Sequence, residues 1–322
     1  MTPDDPQLIL LHQLADGEWV SGADLAQTLG ISREAVSKRV RRLSEWQLEV
    51  ASQSGRGYQL RPAIELLDGA NILAGLRAAG HEACDVRILT SVDSSNRWLA
   101  EHGDNHMLCL TEHQSAGRGR RGRHWHSPFG QNLYLSLRVD FNQWPEKLPA
   151  LGLVLGVAIC ERLARFNIPM QLKWPNDLYL SGKKCGGLLI EQRGELHGTG
   201  TLIIGLGLNV AMRDDQAIDQ HWTSLALQGH AISRNALAVA VADTLLHECR
   251  ELDNQRISMR LSQFSAHDVY RDAAVQIESA QGIIPGQTLG IDEWGRLRLL
   301  TDRGEQLFSV GDVSLRASHV AD

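Results

Sequence analysis

The stretch Ser115-Ala-Gly-Arg-Gly-Arg-Arg-Gly-Arg-His-Trp-His-Ser-Pro-Phe-Gly130 constrains the chain more than any other. Arg118, Arg120, Arg121 and Arg123 stand among Gly117, Gly119 and Gly122 with no acidic residue between them. Glycine lets the backbone take positive φ and approach a ligand closely. Arginine presents planar, permanently charged forks suited to carboxylate and phosphate. A loop with this much uncompensated charge is expected to be poorly ordered until an anion enters it.

The loop satisfies G-x-G-x-x-G, and Asp140 stands about twenty residues on, as in a dinucleotide-binding turn. Gly122 leads into Arg-His-Trp-His-Ser-Pro-Phe-Gly, which cannot form the helix that turn requires, so the dinucleotide reading is rejected. His124 and His126 lack a third ligand and read as surface residues without a role.

At 322 residues the chain is too long for one average core, and two or three domains are expected. A formal net charge of −6 excludes chain-wide non-specific nucleic-acid binding, so any such contact is local. Cys84, Cys109, Cys160, Cys185 and Cys249 show no CxxC spacing and read as reduced thiols. With no signal-peptide pattern, a cytoplasmic location is expected. The longest apolar run, about Ala150 to Cys160, is too short to span a bilayer.

The local nucleic-acid contact has a candidate in the first sixty residues. Leu8, Ile9, Leu11 and Leu14 recur at helical spacing before Gly17, Ser21 caps a helix that ends at Gly30, and Ser32 caps a third helix from Arg33 to about Trp46. Residues 49–60 read as a hairpin with a Gly55-Arg56-Gly57 tip, giving a winged helix-turn-helix over 1–63. Residues 31–61 hold seven Lys/Arg against three Glu, a basic face on an acidic chain, which is the footprint of DNA recognition. Ser32, Arg33, Ser37, Lys38, Arg41 and Arg56 are the candidate DNA contacts.

Pro62 and residues 64–67 read as a linker into a domain spanning 64–268. Strands are expected at 86–92, 107–112 and 132–139, an apolar helix from Pro149 to about Arg165, and further strands at 171–180, 183–191 and 201–210. Asp93-Ser-Ser-Asn96 opens a helix; Ser94 or Asn96 reads as its cap, and a helix N-terminus of this kind also suits an anion. Trp174-Pro-Asn-Asp177 breaks a strand, as a bulge or edge does. Lys184 enters a strand beside Gly186 and Gly187, where a ligand can approach the backbone; Asn209 is either a satisfied strand-end group or a metal or phosphate holder. From about Asp268, over 269–322, short strands separated by turn signals predict a small β-barrel, closing on Gly311-Asp-Val-Ser-Leu-Arg316.

In combination, G-R-G-R-R-G-R-x-W-x-S-P-x-G, Lys173-Trp-Pro-Asn-Asp-Leu178, K-x-x-G at Lys184–Gly187 and G-x-G-x-N at Gly205–Asn209 resemble the biotin protein ligases of the type that is also the biotin operon repressor. The resemblance covers nearly the whole chain. It implies an α+β fold with an N-terminal winged helix-turn-helix, a central mixed-sheet catalytic domain like that of class II synthetases, and a C-terminal SH3-like barrel. It implies ATP, Mg²⁺ and biotin as ligands, biotinyl-5′-AMP as intermediate and corepressor, and the biotin carboxyl carrier domain of acetyl-CoA carboxylase as acceptor. It also implies operator DNA and a homodimer formed on binding the adenylate, with no membrane association. By the same resemblance Ser94, Ser95, Gln114, Arg118, Arg120, Lys184 and Gly187 bind biotin, with Lys184 and Arg120 catalytic. Arg123, Trp125, Asn176, Asp177, Asn209 and Arg316 bind the nucleotide, with Mg²⁺ near Asn176 and Asp177; for Arg316 a purely structural cap stands as the other reading. Two other readings stand beside this one: lipoate ligation on a shared core, and a sensor without ligase activity.

Overall fold

The computed structural model describes residues 6–194, 199–213, 218, 221–279, 282–309 and 314–317. The tail residues Gly311, Asp312 and Val313 lie outside them.

The N-terminal unit obeys its caps. Helices α1 (Pro6–Leu14), α2 (Gly22–Leu29) and α3 (Arg33–Arg42) precede strands β1 (Glu49–Gln53) and β2 (Gly57–Arg61). Ser21 Oγ accepts from the Asp24 amide at 3.1 Å, Gly30 closes α2 at φ 63°, and Ser32 Oγ accepts from the Ala35 amide at 3.2 Å. The third helix is shorter than its periodicity predicts, ending at Arg42 and continuing as a 3₁₀ turn over Leu43–Trp46. Gly57, at φ 108°, lets β2 run against Val20, whose amide and carbonyl pair with Tyr58 at 2.9 Å each; a Cβ there would lie 2.0 Å from the Val20 carbonyl oxygen. Leu10, Leu11, Leu14, Leu25, Val36, Val40, Leu43 and Leu60 form the core, and Phe129 enters it from the end of the arginine loop. The Phe129 ring stacks on Trp46 with centroids 4.8 Å apart and planes 15° apart.

The central unit is one mixed sheet. Asp68 caps α4 (Gly69–Ala78), and the chain continues through β3 (Asp85–Leu89), α5 (Ser95–His102), β4 (Met107–Thr111), β5 (Leu133–Phe141) and α6 (Leu151–Ala164). Strands β6 (Gln171–Lys173), β7 (Asp177–Leu180), β8 (Lys183–Gly194) and β9 (Gly200–Leu208) come next, then α7 (Arg234–Arg250) and α8 (Asn254–Gln263). The strand order is β3-β4-β5-β9-β8-β7-β6, parallel only between β3 and β4. Period-two alternation gives the sheet two faces. Leu108, Leu135, Leu178, Leu188 and Leu206 face the core with α4, α6, α7 and α8. Ser136, Gly205, Gly207, Gly187 and Asp177 alternate onto the face that carries α5. Trp174-Pro-Asn is the turn of the β6–β7 hairpin, at the edge of the sheet as one of the two expected readings had it, and is not itself a bulge. The bulge comes next, between β7 and β8. Leu178 pairs with Gly186 but Tyr179 pairs with Lys184, so Cys185 is the extra residue. Without that extra residue Lys184 would point to the core; with it, Lys184 joins Gly187 on the open face.

The C-terminal strands β10 (Ala274–Ser279), β11 (Gly282–Ile291), β12 (Leu297–Thr301), β13 (Gly304–Phe308) and β14 (Ser314–Ala317) form an antiparallel sheet in the order β13-β12-β11-β10-β14. The expected barrel is not closed: β13 and β14 lie at opposite edges and do not pair among the described residues. The sheet has no need to curl on itself, because the central unit covers its apolar face. Val275, Ile277, Leu297, Leu299 and Leu315 belong to the same core as Leu153 and Phe264, and Trp174 Nε1 donates to the Gly295 carbonyl at 3.0 Å.

Phe129→Ala removes a ring that is 1% exposed and shared between two units. It is expected to destabilise the winged helix by about 3–5 kcal/mol. Denaturant unfolding monitored by Trp46 fluorescence should show an earlier transition; an unchanged midpoint would mean that the ring contributes no docking energy.

Candidate active site

The open face of the central sheet, α5 and the arginine loop enclose a cleft of about 1010 Å³. Ser94, Ser95, Gln114, Arg118, Arg120, Arg123, Trp125, Asn176, Asp177, Lys184, Gly187, Asn209 and Arg316 all line it, so every ligand-binding residue expected from sequence comes together. The expected DNA contacts lie apart, on α3 and the wing. Ser32, Arg33, Lys38, Arg41 and Arg56 are exposed and Ser37 half-buried. Ser32 spends its hydroxyl on the helix cap, and Arg56 lies over the Trp19 ring at 4.6 Å.

One end of the cleft is a polar pocket. Ser94 stands at the α5 N-cap position, but its side chain makes no capping bond there. The Ser95 amide and hydroxyl both donate to Gln114 Oε1, at 2.9 and 3.1 Å, and Gln114 Nε2 donates to Ser127 Oγ at 3.1 Å. Asn96 is likewise no cap: its Nδ2 donates to Glu191 Oε2 at 2.8 Å and its Oδ1 accepts from Ser136 Oγ at 2.6 Å. Gly205 makes room for it, since a Cβ there would lie 2.3 Å from Asn96 Oδ1. Glu191 also pairs with Arg118 at 3.7 Å.

The arginine loop is a hairpin in this structure. Trp125 donates its amide to Gly117 at 2.8 Å and Gly119 donates to Arg123 at 2.7 Å, around a tip where Arg121 and Gly122 take φ of 58° and 69°. Arg120 Nη1 donates to Asn176 Oδ1 at 3.0 Å, fastening the tip to the β6–β7 turn. Burial holds the Arg120 guanidinium below its ordinary range. The Trp125 ring lies on Gly207, where a Cβ would come within 2.6 Å of it.

Lys184 occupies the middle. Its Nζ is 2.8 Å from Asp177 Oδ1 and 5.5 Å from the Trp125 ring centroid. Asn209 meets the strand-end reading, its Nδ2 donating to the Thr223 carbonyl at 3.0 Å, while still lining the cleft. At the far end, Arg316 on β14 pairs with Glu278 at 3.3 Å. Lys173 lies there too, its Nζ 3.1 Å from Tyr179 Oη, and burial pushes its pKa down to about 8. Seven Lys/Arg and two Asp/Glu line the cleft, so its own carboxylates leave most of the positive charge for a ligand to neutralise. Among the described residues, no three His, Cys, Asp or Glu groups are placed to hold a metal. His124 is exposed, as expected, and His126 is half-buried. Asp177 and Asn176 offer the hard oxygen donors that Mg²⁺ takes together with phosphates.

Sequence reasoning missed Asn96, Ser136, Glu191 and Lys173 as parts of this site. Glu191 and Lys173 carry a signal only in register: both alternate onto the face of Gly187 and Asp177.

Residues 89–209 match the biotin/lipoate A/B protein ligase family, residues 7–59 an HTH domain, and residues 273–316 the biotin protein ligase C-terminal domain. Bifunctional ligase/repressor BirA of Salmonella typhimurium is 36% identical over 320 residues, covering 97% of this chain and 98% of that protein. The protein of the same name from Escherichia coli is 35% identical over 320 residues, covering 97% of both. The biotin protein ligase from Aquifex aeolicus, solved in complex with biotin and ATP, superposes with a TM-score of 0.63 at 29% identity, covering 72% of this chain and 99% of that one. With its motifs in register around a cation-lined cleft, and a relative matching from end to end, the chain belongs to the biotin protein ligases of the bifunctional ligase/repressor group.

Proposed function

We propose that the chain joins biotin to a lysine of a biotin carboxyl carrier domain, and that the same adenylate intermediate makes it a repressor of biotin-operon transcription. The observation that carries the ligase reading is the place of Lys184. It stands on the open face beside Asp177 and Trp125, between the Ser95–Gln114 pocket and the Arg316 end of the cleft.

Biotin's ureido end lies at Ser94, Ser95 and Gln114, with Arg118 beside it, and its chain passes over Gly187. The nucleotide lies at Arg123, Trp125, Asn176, Asp177, Asn209 and Arg316. In the first step the biotin carboxylate attacks the α-phosphorus of ATP, the bond to the bridging oxygen breaks, and pyrophosphate leaves. Two anions must meet, so the step needs preorganised positive charge and alignment more than a base. Lys184 and Arg120 supply that charge between carboxylate and α-phosphate. Asn176 and Asp177 would hold Mg²⁺ by their side-chain oxygens, and the ion would supply further neutralisation of the phosphates. In the second step the carrier lysine attacks the acyl carbon of biotinyl-5′-AMP, forming the amide and releasing AMP. Lys184 is no nucleophile, because acylating it would give a stable amide and a dead enzyme. The arginine loop shields the anhydride from water meanwhile.

Lys184→Ala is expected to lower ATP–pyrophosphate exchange by about two to three orders of magnitude. Near-normal exchange in that variant would sink the assignment. Assayed with ATP, a carrier domain and either acid, the protein should transfer labelled biotin and not lipoate; transfer of lipoate would favour the other ligase reading, and no transfer the sensor.

For the repressor half, residues 1–63 form the DNA-binding domain, 64–268 the catalytic domain and 269–322 the C-terminal domain. Biotinyl-5′-AMP favours a homodimer, and the dimer presents two α3 helices to a palindromic operator in the cytoplasm. The basic excess of residues 31–61, exposed on α3 and the wing, supports this. Because coupling is reciprocal, biotin with ATP should tighten operator binding by about tenfold or more. Operator affinity that does not move under saturating biotin and ATP would remove the repressor half and leave the ligase.

A further inference from the structure

Lys173 has no task in either half-reaction, yet it is built into the cleft. It is only 7% exposed and still lines the cavity. Register fixes its side: Lys173 pairs with Asp177, Asp177 with Gly187, and Gly187 with Gly207. Residues directly opposite one another share a face, so Lys173 ends the row that runs beneath Trp125. Its cross-strand carboxylate attracts it but is shared, because Asp177 Oδ1 lies 2.8 Å from Lys184 Nζ, and burial outweighs that attraction. Instead Lys173 Nζ donates to Tyr179 Oη at 3.1 Å and lies 5.3 and 6.0 Å from the Tyr179 and Tyr270 rings. Among the described residues, no carboxylate oxygen comes within 4.0 Å of it.

A buried ammonium held by a neutral phenol and two ring faces is under-compensated, and an anionic ligand is the natural remedy. The direction of the row says which part of the ligand. The Ser95–Gln114 pocket lies over β5 and β9, where Ser136 bonds Ser95. Lys184 and Gly187 are on β8, and Lys173 is on β6, two strands further out, or about 10 Å. Arg316 lines the same end. Under the ligase reading, on which this inference rests, the carboxylate and α-phosphate meet at Lys184, and the remaining phosphates extend outward from it. We propose that Lys173 binds the β- and γ-phosphates of ATP and stays with them as the leaving pyrophosphate, while biotinyl-5′-AMP does not touch it.

The two half-reactions separate this from a structural role, since only the first involves pyrophosphate. In the full-length protein, Lys173→Met should raise the KM for ATP in adenylation at least tenfold. The KM for inorganic pyrophosphate should rise similarly in the reverse reaction, where bound biotinyl-5′-AMP is converted back to ATP. Transfer from supplied biotinyl-5′-AMP to the carrier lysine should stay within about twofold of the parent. Lys173→Arg, which keeps the charge, should recover most of the pyrophosphate KM. Equal losses in adenylation and in transfer from supplied adenylate would overturn the assignment, leaving Lys173 a packing residue. An unchanged KM for pyrophosphate in Lys173→Met would overturn it as well. If the parent protein itself forms no biotinyl-5′-AMP from biotin and ATP, the ligase reading falls, and this assignment with it.

Discussion

One buried guanidinium holds the molecule's parts in register. Arg234, at the first position of α7, pairs with Glu112 at 2.8 Å, and both side chains are 3% exposed. Its Nε and Nη2 donate to the Asn132 carbonyl at 3.1 and 2.8 Å, and its Nη1 to the Glu65 carbonyl. Glu112 stands just before the arginine loop and Asn132 just after it, while Glu65 lies in the interdomain linker. Glu112 also accepts from the Leu67 amide at 2.6 Å, and its carbonyl accepts from Gly130 at 3.0 Å. Both feet of the loop and the linker to the winged helix therefore converge on one charge. Removing one partner of such a pair typically costs about 3–5 kcal/mol, because the other is left charged and buried. Stability is a weaker reason for keeping the pair than geometry: a hydrophobic substitute of equal volume could pack here, but it could not fix four backbone segments at once.

The loop held in this way meets a floor made mostly of absence. Gly187, Gly205 and Gly207 bring the sheet backbone to the surface, and Trp125 and Asn96 lie where side chains would otherwise stand. The cations stand around that floor on separate elements, Arg118 and Arg120 on the loop, Lys173 and Lys184 on strands, and Arg316 on β14. Placing them on different strands and loops keeps like charges apart until an anion brings them to a common target. Glu191, Asp177 and Glu278 each take one cation in the meantime, so the cleft is assembled as ion pairs that a polyphosphate and a carboxylate can exchange.

The elements that read correctly from sequence are those with local causes. Ser21, Gly30 and Ser32 announce α2 and α3, the alternation at 132–139 announces β5, and the apolar run at 201–210 announces β9. What escapes depends on partners distant in sequence. Cys185 gives no sign that it is the extra residue that turns Lys184 outward; that comes only from the pairing of β7 with β8. Phe129 looks like one more apolar residue at the end of a loop, and its burial against Trp46 becomes visible only when the two units are docked. Short strands with turns usually close into a barrel, but the pattern does not say whether a neighbouring unit will cover the apolar face first. Asn96 reads as a helix cap for the usual reason, and loses that role to Glu191 and Ser136, which lie 95 and 40 residues away.

The same long-range contacts bear on how a ligand event could reach DNA. From Gln114 in the polar pocket the connections run through Ser127 Oγ, then along the backbone to Phe129, and across the ring stack to Trp46. Trp46 ends the 3₁₀ turn that continues α3, the helix bearing the exposed Arg33, Lys38 and Arg41. Adjacency of this kind does not itself make a pathway, since coupling requires an element with two arrangements that both sites bias. The arginine loop is anchored unequally: Arg120 and Arg118 make polar contacts to Asn176 and Glu191 at the rim of the cleft, whereas its feet are fixed at the buried Arg234. A ligand that competes for those contacts changes the tip and leaves the feet in place. The short stretch between the loop and its foot joins the rim of the cleft to α3, and Phe129 is the residue of that stretch seated in the winged-helix core; the linker is a second connection, its Ile64 amide donating to the Ala15 carbonyl at 2.8 Å.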